Sequence, residues 1–254
     1  MLSIVIPTLN EEKYLPRLLN SIRRQSFSGK GEEDKSSSSP SLSCNESSVF
    51  EVIVADAYSE DGTASFAQKE NCKVVSSRGR LPAREKNRGA EATQGELILF
   101  VDADVVLPED FLKNAIEEFC HRNLDVASFY LESKNKIHDF IFRFFYNFPA
   151  KITQKILPQA MNAILIKKSL HQKIGGFDEE IRLGEELDYI RRGKKIGKFG
   201  ILNSCKVLIS SRRFRKDGWF KSWFKYFLCQ LHMIFLGKVK SDIFKYRFNH
   251  YGEN

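Results

Sequence analysis

No stretch of the 254-residue sequence reaches about 18 uninterrupted apolar residues, so it encodes no ordinary membrane-spanning helix. Cysteine is sparse: Cys44, Cys72, Cys120, Cys205 and Cys229 are scattered, odd in number and nowhere spaced as CxxC. That argues against a zinc site or a disulfide framework and makes reduced cytosolic thiols the expectation. His121, His138, His171, His232 and His250 show no metal-ligand spacing. No basic segment precedes the first apolar run, so the N-terminus reads as a strand and not as a signal peptide. No internal repeat is present.

What the sequence does have is apolar material for a sizeable core. At 42% hydrophobic and 28% charged residues, global disorder is excluded. The length fits one large α/β domain, or one domain with a small appendage. Lys+Arg number 40 against 32 Asp+Glu, a net charge of +8. That excess implies an anionic partner without choosing among nucleic acid, membrane and phosphate-bearing substrate.

Along the first half, short apolar runs alternate with helical patterns. Residues 2–6, 50–55, 73–76 and 97–101 read as strands, the last (LILFV) apolar throughout, as a central parallel strand is. From residue 11 to 24, Tyr14, Leu18 and Ile22 recur at i, i+4, i+8, with Leu15 and Leu19 beside them. This is one helix stripe, with acids in the first turn and arginines in the last. Leu107-Pro108-Glu109-Asp110 opens another helix, with Phe111, Leu112, Ala115, Ile116 and Phe119 on one side. Repeated strand–helix alternation predicts a parallel sheet with right-handed crossovers. Ligands bind such sheets beyond the carboxyl ends of the strands. Residues 28–48 interrupt the pattern; Ser-rich and nearly free of apolar side chains, they read as a disordered surface insertion.

In the second half, Ile137, Phe140, Ile141, Phe144, Phe145 and Phe148 fall at helical spacing. So do Trp219, Phe220, Trp223, Phe224, Phe227, Leu231 and Phe235, interleaved with Lys216, Lys221 and Lys225. These stretches have two readings: helices burying an aromatic face on the domain, or an amphipathic element lying in a membrane interface.

The chemistry concentrates at strand ends. The first strand runs into Pro7-Thr8-Leu9-Asn10-Glu11-Glu12, the second into Asp56 and its loop, the fourth into Asp102-Ala103-Asp104. Neighbouring parallel strands would bring these ends to one edge. Asp102 and Asp104, at i and i+2 of an extended segment, would present two carboxylates on one side. Hard oxygen ligands of this kind suit Mg²⁺ or Mn²⁺, completed by substrate phosphates.

In this order, PTLNEE (7–12), ADAYSEDGT (55–63), RGRLPAREKNRGA (78–90), FVDADV (100–105) and GGFDEEIRLGEELDYIRR (175–192) resemble the family 2 glycosyltransferases of the GT-A fold. The resemblance covers roughly residues 1–215 and leaves 216–254 as an aromatic, basic helical extension. It implies an α/β fold with a largely parallel central sheet flanked by helices, and C-terminal amphipathic helices beyond it. It further implies that Pro7, Thr8, Asn10 and Glu11 line a nucleotide pocket, and that Asp56 contacts the base or ribose while Ser59 and Asp61 shape its loop. Asp61-Gly62-Thr63 equally reads as turn and helix-capping chemistry. Arg80, Arg84 and Asn87 sit where an arginine would take the diphosphate through paired N–H donors. By the same resemblance Asp102 and Asp104 hold the divalent metal, which neutralises the diphosphate leaving group.

The family's acid for deprotonating the acceptor falls at Glu186, where an aspartate is usual; Glu185 and Asp188, i and i+3 on a helix starting near Gly184, are the alternatives. Met161-Asn162-Ala163-Ile164 and Gly175-Gly176-Phe177-Asp178 resemble the acceptor-side strand and turn. Ser210-Ser211-Arg212-Arg213-Phe214 resembles a basic segment that could close over the diphosphate. A Gln-x-x-Arg-Trp motif of processive members is absent. The implied function is transfer of one sugar from a nucleotide donor to an acceptor hydroxyl or phosphate, inverting and non-processive. A lipid-linked or envelope acceptor and a cytoplasmic, membrane-peripheral location would suit it, and nucleic acid is not an expected partner. The rivals are a nucleotidyltransferase, which would want a glycine-rich loop after the first strand, and an inactive, polyanion- or membrane-binding relative.

Overall fold

The first apolar run, Leu2–Thr8 (β1), lies at the heart of a sheet, with Ile4 and Ile6 buried on one face and Val5 on the other. The computed structural model describes residues 1–25, 50–76, 79, 81–160, 162–210 and 218–244. Around β1 stand Phe50–Asp56 (β2), Lys73–Ser76 (β3), Leu97–Val101 (β4), Val105–Val106 (β5), Val126–Glu132 (β6), Ala163–Lys167 (β7) and Phe199–Ile209 (β8). They form one eight-stranded sheet in the order β3-β2-β1-β4-β7-β6-β8-β5. β1 pairs in parallel with β2 and β4, β2 with β3, and β6 with β8. β7 runs antiparallel between β4 and β6, and β5 antiparallel to β8. The expected largely parallel α/β sheet is therefore present, with one reversed strand in its middle.

Helices cover both faces. Leu15–Arg23 (α1) and Phe111–His121 (α4) pack Leu15, Leu18, Phe111 and Phe119 onto the Ile4–Ile6 face. Pro82–Glu91 (α3) and Glu185–Ile196 (α8) pack Ala83, Ala90, Tyr189 and Ile190 onto the Val5 face. The remaining helices among the described residues are Thr63–Lys69 (α2), Lys136–Phe142 (α5), Phe148–Thr153 (α6), Lys168–Lys173 (α7) and Trp219–Phe235 (α9), with a π-helical turn, Arg143–Asn147, joining α5 to α6.

Several boundaries differ from the sequence reading, each for a local reason. β1 and β2 run on through Thr8 and Asp56, whose side chains bond to each other. α1 begins at Leu15, not Glu11; a proline occupies its first turn, and Glu11 and Glu12 sit in the preceding turn with their N–H groups held by Thr63 and Asp61. α4 starts at Phe111 after Asp110 in the left-handed region (φ 54). The run from 137 to 148 is one helical excursion passing through the π turn, where Asn147 bonds both the N–H and the carbonyl of Leu131. The insertion at 28–48, Arg80, Met161 and the 211–214 basic segment lie outside the described residues. No helix among the described residues is long and apolar enough to cross a membrane.

Candidate active site

Two loops at the carboxyl edge are zipped together by side chains. The buried Asp56 carboxylate accepts from the Thr8 hydroxyl at 2.9 Å, from the Ser59 hydroxyl at 2.6 Å and from the Ser59 N–H at 2.8 Å. Across the gap, the Asn10 N–H donates to Ser59 Oγ at 2.9 Å and the Glu60 N–H to Asn10 Oδ1 at 2.7 Å. Glu11 N–H donates to Thr63 Oγ1 at 2.8 Å, Glu12 N–H to Asp61 at 3.2 Å, and Gly62 N–H back to Glu12 at 3.1 Å. Thr63 also bonds Asp61 through both its N–H and its hydroxyl. The turn chemistry read for Asp61–Thr63 is thus present and shared between the loops, while α2 begins after Gly62 without a side-chain cap. Asn10 and Tyr58 both adopt positive φ (56), a conformation non-glycine residues hold only when their surroundings enforce it. The Tyr58 ring is left half exposed.

Beside these loops, β4 ends in a tight turn. The Val105 N–H donates to the Asp102 carbonyl at 3.2 Å, so the segment is not extended as the i, i+2 argument required. The carboxylates nevertheless flank a buried Ala103 and are both partly exposed. Asn162, at the start of β7, holds Asp102 twice: its carbonyl accepts the Asp102 N–H and its Nδ2 donates to Asp102 Oδ2, each at 3.0 Å.

The third component is a buried cation. Lys86 on α3, with a side chain 3% exposed, lies 2.6 Å from Glu186 and 3.2 Å from Glu185, at the first turn of α8. Its ammonium also stands 5.3 Å over the Phe177 ring. Burial alone would lower the lysine, but Glu186 and Glu185, with Asp102 behind them, outweigh it and hold it above the ordinary range. Burial raises the Glu186 carboxyl; Lys86 pulls it back, Glu185 and Asp102 push it further, and it settles at about 7. Its side chain remains 20% exposed, so it can meet a ligand. Glu85, buried on α3, is likewise pushed by burial to about 7.

The other sequence candidates are drawn elsewhere. Asp188 pairs with Arg192 at 2.7 Å and Lys238 at 3.4 Å, and Arg192 also donates to the Ile174 and Gly176 carbonyls. The lysine therefore groups Glu185 with Glu186, not with Asp188. Asn87 fastens the turn before α8, donating to the Phe177 carbonyl and Glu179 at 2.9 Å each and accepting the Phe177 N–H at 2.8 Å. Gly176 (φ 70) lies so close beneath it that a Cβ would stand 2.6 Å from Asn87 Oδ1. Arg84 leans toward Glu179 at 3.5 Å. Pro7 and Thr8 end β1 at the base of the zipped loops.

Residues 3–177 match the family described as Glycosyl transferase family 2. The chain belongs to that family. Over 139 residues this family 2 chain is 28% identical to the poly(ribitol-phosphate) beta-N-acetylglucosaminyltransferase TarS of Staphylococcus aureus, covering 52% of its own length. It spans about a fifth (21%) of that relative. Its fold is shared with S. aureus TarS 1-349 in complex with UDP-GlcNAc (TM-score 0.58, 21% identity, 80% of this chain and 57% of that one). It is shared also with the mannosyltransferase PcManGT from Pyrobaculum calidifontis in complex with GDP-Man and Mn²⁺ (TM-score 0.58, 19% identity, 81% and 56%). The GT-A expectation is thereby met.

Sequence reasoning passed over Lys86 in this family 2 chain. The signal was there: Lys86 falls on the stripe of Ala83 and Ala90 that α3 buries against the sheet. As for a divalent ion, no group of three or more His, Cys, Asp or Glu side chains among the described residues could hold one. Asp102 and Asp104 supply two hard carboxylates, which fits a Mg²⁺ or Mn²⁺ site that phosphate oxygens complete.

Proposed function

We propose that this chain transfers a single sugar from a nucleoside-diphosphate donor to an acceptor hydroxyl or phosphate, with inversion and without processive elongation. The observation that supports this reading is the buried Lys86–Glu186 pair, 2.6 Å apart, whose carboxyl is held at about 7 with Asp102 among the charges that raise it. Glu186 takes the proton of the acceptor hydroxyl. The freed oxygen forms a bond to the anomeric carbon from the face opposite the leaving group. The anomeric C–O bond breaks with its electron pair going to the diphosphate, which inverts the configuration. Lys86 keeps Glu186 in place and draws its pKa down far enough that about half of it is ionised at neutral pH. An anionic phosphate acceptor would need no such base.

The zipped loops would cradle the nucleoside, with Pro7, Thr8, Asn10, Glu11 and Asp56 around it and the exposed Tyr58 ring as a stacking surface. Asp102 and Asp104 would hold the divalent ion, whose chemistry is neutralisation of charge on the departing diphosphate. Arg84, freed from Glu179, and Arg80 could meet the same charge. The TarS and PcManGT complexes, with UDP-GlcNAc and GDP-Man, make uracil and guanine the first bases to try. A lipid-linked acceptor at the cytoplasmic face of a membrane suits the basic, aromatic C-terminal part of the chain.

The test is calorimetric binding of UDP, GDP, CDP and dTDP, each with and without Mn²⁺. Manganese-dependent binding of one diphosphate, lost in Asp104→Ala, is the expected result. A folded protein that binds none of them would refute the reading.

A further inference from the structure

The aromatic residues that the sequence leaves between two readings divide between a packed face and an exposed one. Trp219 packs inward, its ring 5.3 Å from the buried Phe142 and 4.5 Å from His138. Cys229 and Met233 close over Gly184, the residue that caps α8. The opposite faces stay bare. On the α5–α6 excursion the Phe140, Phe144 and Phe148 rings stack at 6.4 Å intervals, with Phe140 66% exposed. On α9, Phe220 and Phe224 stack at 6.1 Å, with Phe220 76% exposed. Phe145 and Trp223, 5.5 Å apart, join the two ladders into one face. Gln159, in the segment after α6, and Gln230 on α9 bond each other.

We propose that this face seats on the surface of an anionic lipid bilayer. A soluble monomer rarely leaves so continuous an aromatic surface uncovered. Its charge says what covers it. The α9 helix carries Lys221 and Lys225 and no acid; the excursion carries Lys136, Arg143 and Lys151 against Asp139 alone. Aromatics interleaved with cations match the interface of acyl chains and anionic headgroups. A second copy of the chain would set these cations against themselves. Position agrees: the excursion leaves the sheet after β6, the chain returns to it just after Asn162, the residue holding Asp102, and α9 packs Cys229 and Met233 over Gly184, one residue before Glu185. Seated in this way, the site would open toward acceptors held in the membrane. That consequence rests on the transfer reading; the docking itself does not.

The test uses the full chain and vesicles of phosphatidylcholine with or without phosphatidylglycerol. Binding to the anionic vesicles should be roughly tenfold tighter or more and should weaken as salt rises. The chain's tryptophans, Trp219 and Trp223, are both on α9. Trp219 packs inward, but Trp223 lies between Phe145 and Phe220 on the exposed face, so its emission should be quenched by brominated acyl chains in the wild-type protein, with no mutation needed. Phe144→Glu combined with Phe220→Glu should weaken binding roughly tenfold or more at unchanged Tm. No lipid binding, equal binding to neutral vesicles, or no quenching would overturn the proposal. So would a dimer in lipid-free light scattering that the same substitutions dissolve, because the face would then belong to a second copy. Diphosphate calorimetry, which needs no lipid, separates failure of this proposal from failure of the transfer reading.

Discussion

Replacing Lys86 with methionine removes the charge between two carboxylates and keeps most of the volume. The lysine is 2.6 Å from Glu186 and 3.2 Å from Glu185, with a side chain 3% exposed, so solvent cannot substitute for it. Removing one partner of a buried ion pair costs about 3–5 kcal/mol, because the other charge is left behind. The loss should depend on pH. Glu186 already stands at about 7 against an ordinary 4.5, and without Lys86 it rises further. A carboxyl whose folded pKa is raised stabilises the fold at acid pH, and that contribution is lost as pH rises through the raised value. Lys86→Met should therefore lie nearest the wild type at about pH 5 and furthest from it at about pH 8, the pH-dependent part of the loss growing by up to about 1.4 kcal/mol between them. Urea unfolding at the two pH values reads this directly. In transfer assays the acid limb should move upward from about 7, with donor KM little changed. A loss below about 1 kcal/mol, equal at both pH values, with an unmoved limb, would refute the assigned role of the lysine.

Glu186→Gln should lower kcat by about 10²–10⁴ while diphosphate binding persists, and should abolish the acid limb in the pH–rate profile. Asp56→Ala strands the Thr8 hydroxyl and the Ser59 N–H; about 2–4 kcal/mol of stability should go, read by thermal unfolding, and donor KM should rise with it. Gly184→Ala forces a Cβ into a φ of 83 and to 2.8 Å from Met233 Sδ. It should cost about 1–3 kcal/mol in chemical denaturation and loosen α9 from the start of α8.

Much of the fold was legible because the near-continuous apolar runs of β1 and β4 match their burial on both faces. The direction of β7 was not. Its AILI run looks like that of a parallel strand, and only pairing with β4 and β6 decides which way it points. The start of α1 misled for a different reason. Glu11 and Glu12 have the charge that favours a first turn, but their N–H groups find better partners 52 and 49 residues away. In the site, the strand-end acids were readable as hard-ligand chemistry. Their partners were not, because Lys86 and Glu185 are 99 residues apart, and a lysine among charged neighbours gives no sign of what it will be buried against.

The zipped loops also bear on how a diphosphate would be held in the proposed site. Many nucleotide sites grip phosphate with a nest of free backbone amides. Here the N–H groups of Asn10, Glu11, Glu12, Ser59, Glu60, Gly62 and Thr63 each already have a side-chain acceptor within these loops. What the loops still present is rich in carbonyl and carboxylate oxygen, which matches the N–H edge of a base and the hydroxyls of a ribose and repels phosphate. The two halves of a nucleotide would thus be sorted by polarity, the nucleoside toward acceptor-lined loops and the diphosphate toward cations.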